Sequence, residues 1–217
     1  MKKTKTTVTN TLVLVTFILA YLAISHFFKV EKSNSSMEES REVKVVETGT
    51  KKSQPPVHRR LPKFDLISST GGLFDTELLD NNIWIANFIF TSCKSSCPVL
   101  TKKMKLFQDA FSETAPVKFV SFSVDPENDT PDKLKNYGKK YEADLNRWYF
   151  LTGKWEKIKI LIKDGFQLGA PEDPMFHSNQ FVLVGRKFRI RGYYESDSPE
   201  ALRRLKRDIS FLITKKY

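Results

Sequence analysis

The 217-residue chain carries 36 Lys and Arg against 25 Asp and Glu, a formal charge of +11, with 40% hydrophobic residues, 17 Phe and only two cysteines. Two cysteines exclude a disulfide scaffold or a four-cysteine zinc module, and the apolar content excludes a disordered chain. The positive excess sits at the ends: residues 1–60 sum to +6, 61–185 to −1 and 186–217 to +6, so no nucleic-acid partner is expected.

Lys2, Lys3 and Lys5 precede an uncharged run from Thr7 to Phe28. Its core from Thr11 to Phe28 would reach about 27 Å as a helix, close to the ~30 Å of bilayer hydrocarbon. Residues 1–30 are therefore read as a single-pass membrane anchor with the lysines on the cytoplasmic side and the rest of the chain exported. The rival reading is a cleaved signal peptide ending near Ala23-Ile24-Ser25. No Arg-rich amphipathic presequence is present, which favours a bacterial inner (cytoplasmic) membrane with the soluble part on the periplasmic or extracytoplasmic side. Residues 31–60, rich in Glu, Lys, Ser and Thr and holding Gln54-Pro55-Pro56, read as a flexible linker. Residues 61–217 remain for one domain, long enough to bury a core.

That domain begins with a short strand around Phe64 to Ile67 and a turn at Gly71-Gly72. Ile83 to Phe90 is β-rich and almost unbroken in its apolarity, as in a central strand covered on both faces. After Cys93 to Pro98 a helix follows, with Leu100, Met104, Phe107 and Phe111 on one face. Val117 to Val124 reads as a second buried strand, and Thr130-Pro131 as the N-cap and first residue of the next helix. A strand at Trp148 to Leu151, a helix from Lys154 to Lys163, strands at Phe181 to Val184 and Arg189 to Tyr194, and a helix opening at Ser198-Pro199 complete the chain. Such alternation predicts an α/β domain with parallel strand pairings and a terminal antiparallel hairpin.

Chemistry concentrates in Cys93-Lys94-Ser95-Ser96-Cys97-Pro98, between a central strand and a helix start. A helix N-terminus offers unpaired N–H groups and partial positive charge, so both thiols are expected to ionise easily, with Lys94 pushing the same way. Exposed, reactive sulfurs are expected rather than buried ones. The C-x-x-x-C spacing lets the pair close a disulfide or converge on one ion, and with one imidazole it would form a three-coordinate soft site suited to Cu(I). Of three histidines, His26 ends the membrane segment and His58 lies in the linker; His177, just before the strand Phe181 to Val184, is the candidate third ligand. Met175 nearby is read as space-filling. The last helix carries Leu202, Leu205, Ile209 and Leu212 on one face and Arg203, Arg204, Lys206 and Arg207 elsewhere; a core helix with a solvated basic face is the plain reading, an acidic or lipid docking face the alternative.

Four motifs in order carry a family resemblance: C-x-x-x-C-Pro after Phe88-Ile89-Phe90-Thr91, then Val124-Asp125-Pro126-Glu127-Asn128-Asp129-Thr130-Pro131, Leu151-Thr152-Gly153, and His177-Ser178 before a strand. Over residues 61 to 200 the chain resembles the Sco/SenC family of membrane-anchored, copper-binding, thioredoxin-like proteins. The resemblance implies a thioredoxin-like α/β fold with a mixed sheet, one copper ion held by Cys93, Cys97 and His177, and a role in maturing the copper site of cytochrome c oxidase. Its implied partner is a copper-accepting oxidase subunit or another copper protein. Asp125 is placed beside the site at most as a supporting residue. The sequence departs from many members in having Lys94 after the first cysteine where they have Pro, and Gly185-Arg186-Lys187-Phe188 in place of an Asp-x-x-Gly turn. The leading expectation is a copper metallochaperone. The alternatives are a thiol-disulfide oxidoreductase acting through Cys93 and Cys97, in which His177 is dispensable, and a copper or redox sensor.

Overall fold

The computed structural model describes residues 59–169 and 178–215. The proposed anchor, most of the proposed linker, His26, His58, Met175 and His177 lie outside the described residues. Among the described residues no helix is long and apolar enough to cross a membrane.

Seven consecutive buried residues, Ile83–Ile89, form strand β2 at the middle of a six-stranded sheet of order β1-β4-β3-β2-β5-β6. The other strands are β1 (Ile67–Ser68), β3 (Val117–Ser123), β4 (Trp148–Thr152), β5 (Gln180–Gly185) and β6 (Arg189–Glu195). Strands β2, β3 and β4 run parallel, whereas β5 lies antiparallel on the other side of β2 and forms a hairpin with β6. The mixed sheet is thus the one predicted. The first strand is shorter than predicted and starts at Ile67, pairing antiparallel with β4. Gly153, just past β4, has a packing role: a Cβ there would come within 2.8 Å of Leu66 Cδ2.

Helices connect the strands and cover the faces. After the single turn α1 (Glu77–Asp80), helix α2 (Ser96–Ala110) runs from the cysteine loop. Leu100, Met104 and Phe107 are buried along it and Phe111 just beyond its end, as the spacing predicts. Arg147 holds that helix's C-terminal end, donating to Gln108 O at 3.0 Å and Phe111 O at 2.9 Å while paired with Asp144 at 3.1 Å. A cation on otherwise unpaired terminal carbonyls is where the helix dipole favours one. Helix α3 (Pro131–Lys140) has the predicted start: Thr130 Oγ1 accepts the N–H of Lys133 at 3.3 Å and Pro131 takes the first position. Helix α4 (Trp155–Ile160) is shorter than predicted and continues as a wider π turn over Leu161–Gly165. Helix α5 (Pro199–Thr214) is capped by Ser198 and buries Leu205, Ile209 and Leu212. Part of its basic face is structural, since Arg204 lies over the Tyr194 ring at 5.0 Å and donates to Tyr193 O at 3.3 Å.

Polar order inside the sheet links three strands. Trp148 Nε1–H donates to Ser121 Oγ at 2.9 Å, and Ser121 Oγ–H donates to Asn87 Oδ1 at 2.7 Å. Asn87 and Ser121 are also register partners on β2 and β3, and both are wholly buried. Leaving these groups unpaired in an apolar interior would be costly, so the chain helps fix the parallel register that places the end of β2.

Candidate functional site

The end of β2 feeds a tight turn in which Cys93 N–H donates to Phe90 O at 3.3 Å. Ser95 at the helix start makes no side-chain cap. Instead, Cys93 Sγ accepts the N–H of Cys97 at 3.5 Å, taking the place that a serine or aspartate oxygen usually occupies at a helix N-terminus. The Ser95 and Ser96 hydroxyls lie 3.7 and 3.8 Å from the same sulfur. Cys97 sits in the first turn of α2, its carbonyl accepting from Thr101 Oγ1 at 2.8 Å, and Thr101 bonds in turn to Tyr137 on α3 at 2.8 Å.

Both thiols are unpaired and buried, at 8% and 4% exposure, which corrects the expectation that this loop leaves them open to solvent. The hydrogen bonds from Thr101 to the Cys97 carbonyl and to Tyr137 tie the first turn of α2 to α3. The thiols also differ in acidity, contrary to the expectation that both ionise readily. Burial is the largest single influence on Cys93 and works to raise its pKa, yet the donated N–H groups of Cys97 and Ser95, with their side chains, outweigh it. The pKa of Cys93 falls from 9.0 to about 6. Burial dominates at Cys97, reinforced by the neighbouring Cys93 sulfur, and lifts its pKa to about 12. Lys94 is exposed, and the lowering at Cys93 comes from the helix-start donors rather than from its charge. One sulfur is therefore a ready nucleophile or metal donor, whereas the other keeps its proton until a metal or an adjacent disulfide draws it off.

The predicted third ligand, His177, lies outside the described residues. Among the described residues no cluster of three metal-ligating side chains forms. What the structure does describe is where the chain resumes. Ser178 is buried, Asn179 O accepts from Ser196 N–H at 2.7 Å, and β5 then runs antiparallel beside β2, through Ala86↔Val182 to Trp84↔Val184. The start of β5 and the end of β2 therefore lie at the same end of the sheet.

Asp125 closes its own turn. Its carboxyl accepts from Asn128 Nδ2 at 2.9 and 3.1 Å, and its carbonyl accepts the N–H groups of Asn128 and Asp129. The acid that reaches the cysteine loop is Asp129, which sequence reasoning missed. Wholly buried, it accepts from Thr91 N–H and Oγ1–H, and from Ser123 Oγ–H. No local pattern distinguishes it, because Thr91 lies 38 residues away in sequence.

A profile of the SCO1/SenC family matches residues 52–210. The SCO1 protein homolog of Bacillus subtilis (strain 168) is 34% identical over 143 residues, 63% of this chain and 74% of that protein. A putative copper-binding protein of Stutzerimonas stutzeri is 32% identical over 149 residues, 64% of this chain and 70% of that protein. Among solved structures, BsSco, a member of the Sco family of cytochrome c oxidase assembly proteins in which a disulfide switch was identified, superposes with a TM-score of 0.65 at 29% identity. It covers 76% of this chain and 100% of its own. The thioredoxin-like α/β architecture with its mixed sheet, the cysteine pair at the head of α2 and the match over most of the chain agree: this protein belongs to the SCO1/SenC family.

Proposed function

We propose that this protein is a copper metallochaperone that carries one copper ion on Cys93, Cys97 and His177 and delivers it during maturation of the copper site of cytochrome c oxidase. One observation carries the reading. Two sulfurs of unlike acidity share one helix start, with Cys93 Sγ 3.5 Å from the Cys97 amide, in a chain of this family. The relatives support it: one bears the name of a copper-binding protein, and BsSco belongs to a family of oxidase assembly proteins.

Copper is cargo in this account. Two thiolates and an imidazole make a soft, three-coordinate donor set suited to Cu(I). Cys93 offers a thiolate at neutral pH, and Cys97 releases its proton as the metal arrives. His177 is three residues before Gln180, the first residue of β5. Transfer proceeds by stepwise exchange of these ligands for those of the acceptor. Exchange with a disulfide oxidant, whose S–S bond breaks and takes up the two electrons and two protons as the Cys93–Cys97 bond forms, removes two of the three donors and empties the site. Residues 1–30 anchor the chain in the cytoplasmic membrane and residues 31–60 tether the domain on the extracytoplasmic side, within reach of a membrane-bound oxidase.

The unequal acidity of the thiols also favours a second reading, a thiol-disulfide oxidoreductase. In it Cys93 attacks an acceptor disulfide, and Cys97 resolves the mixed disulfide, leaving the acceptor's two cysteines reduced. Complementation of a deletion strain separates the two. The chaperone reading expects His177→Ala and Cys93→Ser both to fail in restoring oxidase activity and oxidase copper. Full rescue by His177→Ala with failure of Cys93→Ser would favour the oxidoreductase.

A further inference from the structure

Beneath the cysteine loop lies a carboxyl group that the proposed copper chemistry leaves unused. Asp129 is 0% exposed, and each side-chain contact is a donor to it: Thr91 N–H at 3.2 and 3.1 Å, Thr91 Oγ1 at 2.5 Å and Ser123 Oγ at 2.6 Å. Among the described residues no cation pairs with it. Burying a carboxyl group in this way is costly, and an apolar side chain would fill the same space without that cost. The placement indicates a use for its acceptor oxygens. Two of the three donor groups belong to Thr91, two residues before Cys93. The Cys93 N–H returns to Phe90 O in the same turn, so the carboxyl grips the turn that aims Cys93 Sγ at the Cys97 amide.

We propose that Asp129 is a positioning residue for the cysteine pair: by holding the amide and hydroxyl of Thr91 it fixes the turn from Phe90 to Cys93, and so sets how readily Cys93 and Cys97 form and break a disulfide. This deepens the functional reading above and rests on its assignment of Cys93 and Cys97 as the working pair, not on copper. The physical reason is preorganisation. Two thiols close a disulfide with a high effective concentration only when the backbone that carries them is already in place. Releasing Thr91 lets the turn sample orientations from which no bond forms, and the equilibrium shifts toward the dithiol.

The test measures the equilibrium of the full-length chain, in detergent, with glutathione. Both thiols react with one glutathione disulfide, whose S–S bond breaks as the Cys93–Cys97 bond forms; the two electrons and two protons end on two glutathione thiols. Asp129→Asn keeps the shape but turns a donor toward Thr91 or Ser123, and it should lower the oxidation constant about tenfold, equivalent to about 30 mV. Thr91→Val, which keeps the N–H and removes the hydroxyl, should shift it in the same direction even if Asp129→Asn does not fold. The double variant should fall no further than the larger single effect, because both act through one contact. Ile209→Val, a core truncation in α5, should lower Tm and leave the constant within twofold of wild type. The proposal is overturned if Thr91→Val stays within twofold of wild type, whatever Asp129→Asn does, or if Ile209→Val shifts the constant as far. A wild-type chain that binds no copper, yet whose constant responds as described, would sink the chaperone reading and leave this one standing.

Discussion

The split in thiol acidity predicts a large difference in reactivity. Cys97→Ser isolates Cys93 and preserves the backbone N–H at position 97 that the sulfur accepts, so the pKa near 6 should survive. One pH unit above that value, at pH 7, Cys93 is roughly 90% thiolate. Cys93→Ser isolates Cys97, whose burial persists and keeps the pKa raised, although the part supplied by the Cys93 sulfur is lost; at the wild-type value of about 12, which is then an upper limit, on the order of one molecule in 10⁵ carries the thiolate at pH 7. A thiolate of low pKa is intrinsically the weaker nucleophile, and a slope of about 0.45 over the six-unit difference returns nearly three orders of magnitude to Cys97. The net expectation is that Cys93 alkylates faster at pH 7, by up to about a hundredfold. Iodoacetamide rates on the reduced single-cysteine variants between pH 4 and 10 measure this directly. The Cys93 rate should rise with a midpoint near pH 6 and level off, whereas the Cys97 rate should still be climbing at pH 10. Equal rates, or a common midpoint near the ordinary thiol value of ~8.5, would refute the assignment of the helix-start amides as the cause.

Linkage extends the same reasoning to stability. A thiol whose folded-state pKa is depressed contributes stability that is present above the unfolded value near 9 and is lost as pH falls through about 6. The stability gap between the reduced wild type and Cys93→Ser should therefore widen from pH 6 to pH 9 in urea titrations, and a constant gap would contradict it. Ser121→Ala should cost about 1–3 kcal/mol by stranding Trp148 Nε1 and Asn87 in the core, read from the same titrations; a neutral result would show that the chain of hydrogen bonds is not what fixes these strands. Lys187, exposed at φ 58°, and Phe188 at φ 58° form the β5–β6 turn, a conformation that favours Asn or Gly. Lys187→Asn should raise stability by roughly 0.5–1 kcal/mol, and a lower Tm would argue against strain at that residue.

Much of this architecture is legible in the sequence, for identifiable physical reasons. Ile83–Ile89 can be recognised as central because a strand covered on both faces is apolar at nearly every position, Asn87 being the exception, and α2 because its buried residues recur at helical spacing. Thr130-Pro131 and Ser198-Pro199 mark helix starts by chemistry local to each pair. The features that escape are those set by distant contacts. Cys97 is buried, and the first turn of the helix that carries it is bonded through Thr101 to Tyr137, 36 residues further on. Asp129 reaches the cysteine loop through a contact that no local window contains. The β5–β6 hairpin closes through Lys187 and Phe188, with neither of the residues that usually announce such a turn. The cysteine pair itself stands out in the sequence, and His177 is singled out as its partner because His26 and His58 fall in the anchor and the linker, with the family resemblance pointing to the same residue.

The central claim is a single copper site built by two sulfurs and one imidazole, and Cu(I) titration of the reduced full-length chain against a competing chelator tests it most directly. Wild type should bind one ion, and Cys93→Ser, Cys97→Ser and His177→Ala should each bind more than about tenfold more weakly, a loss above ~1.4 kcal/mol. Binding by His177→Ala as tight as wild type would contradict the three-ligand site.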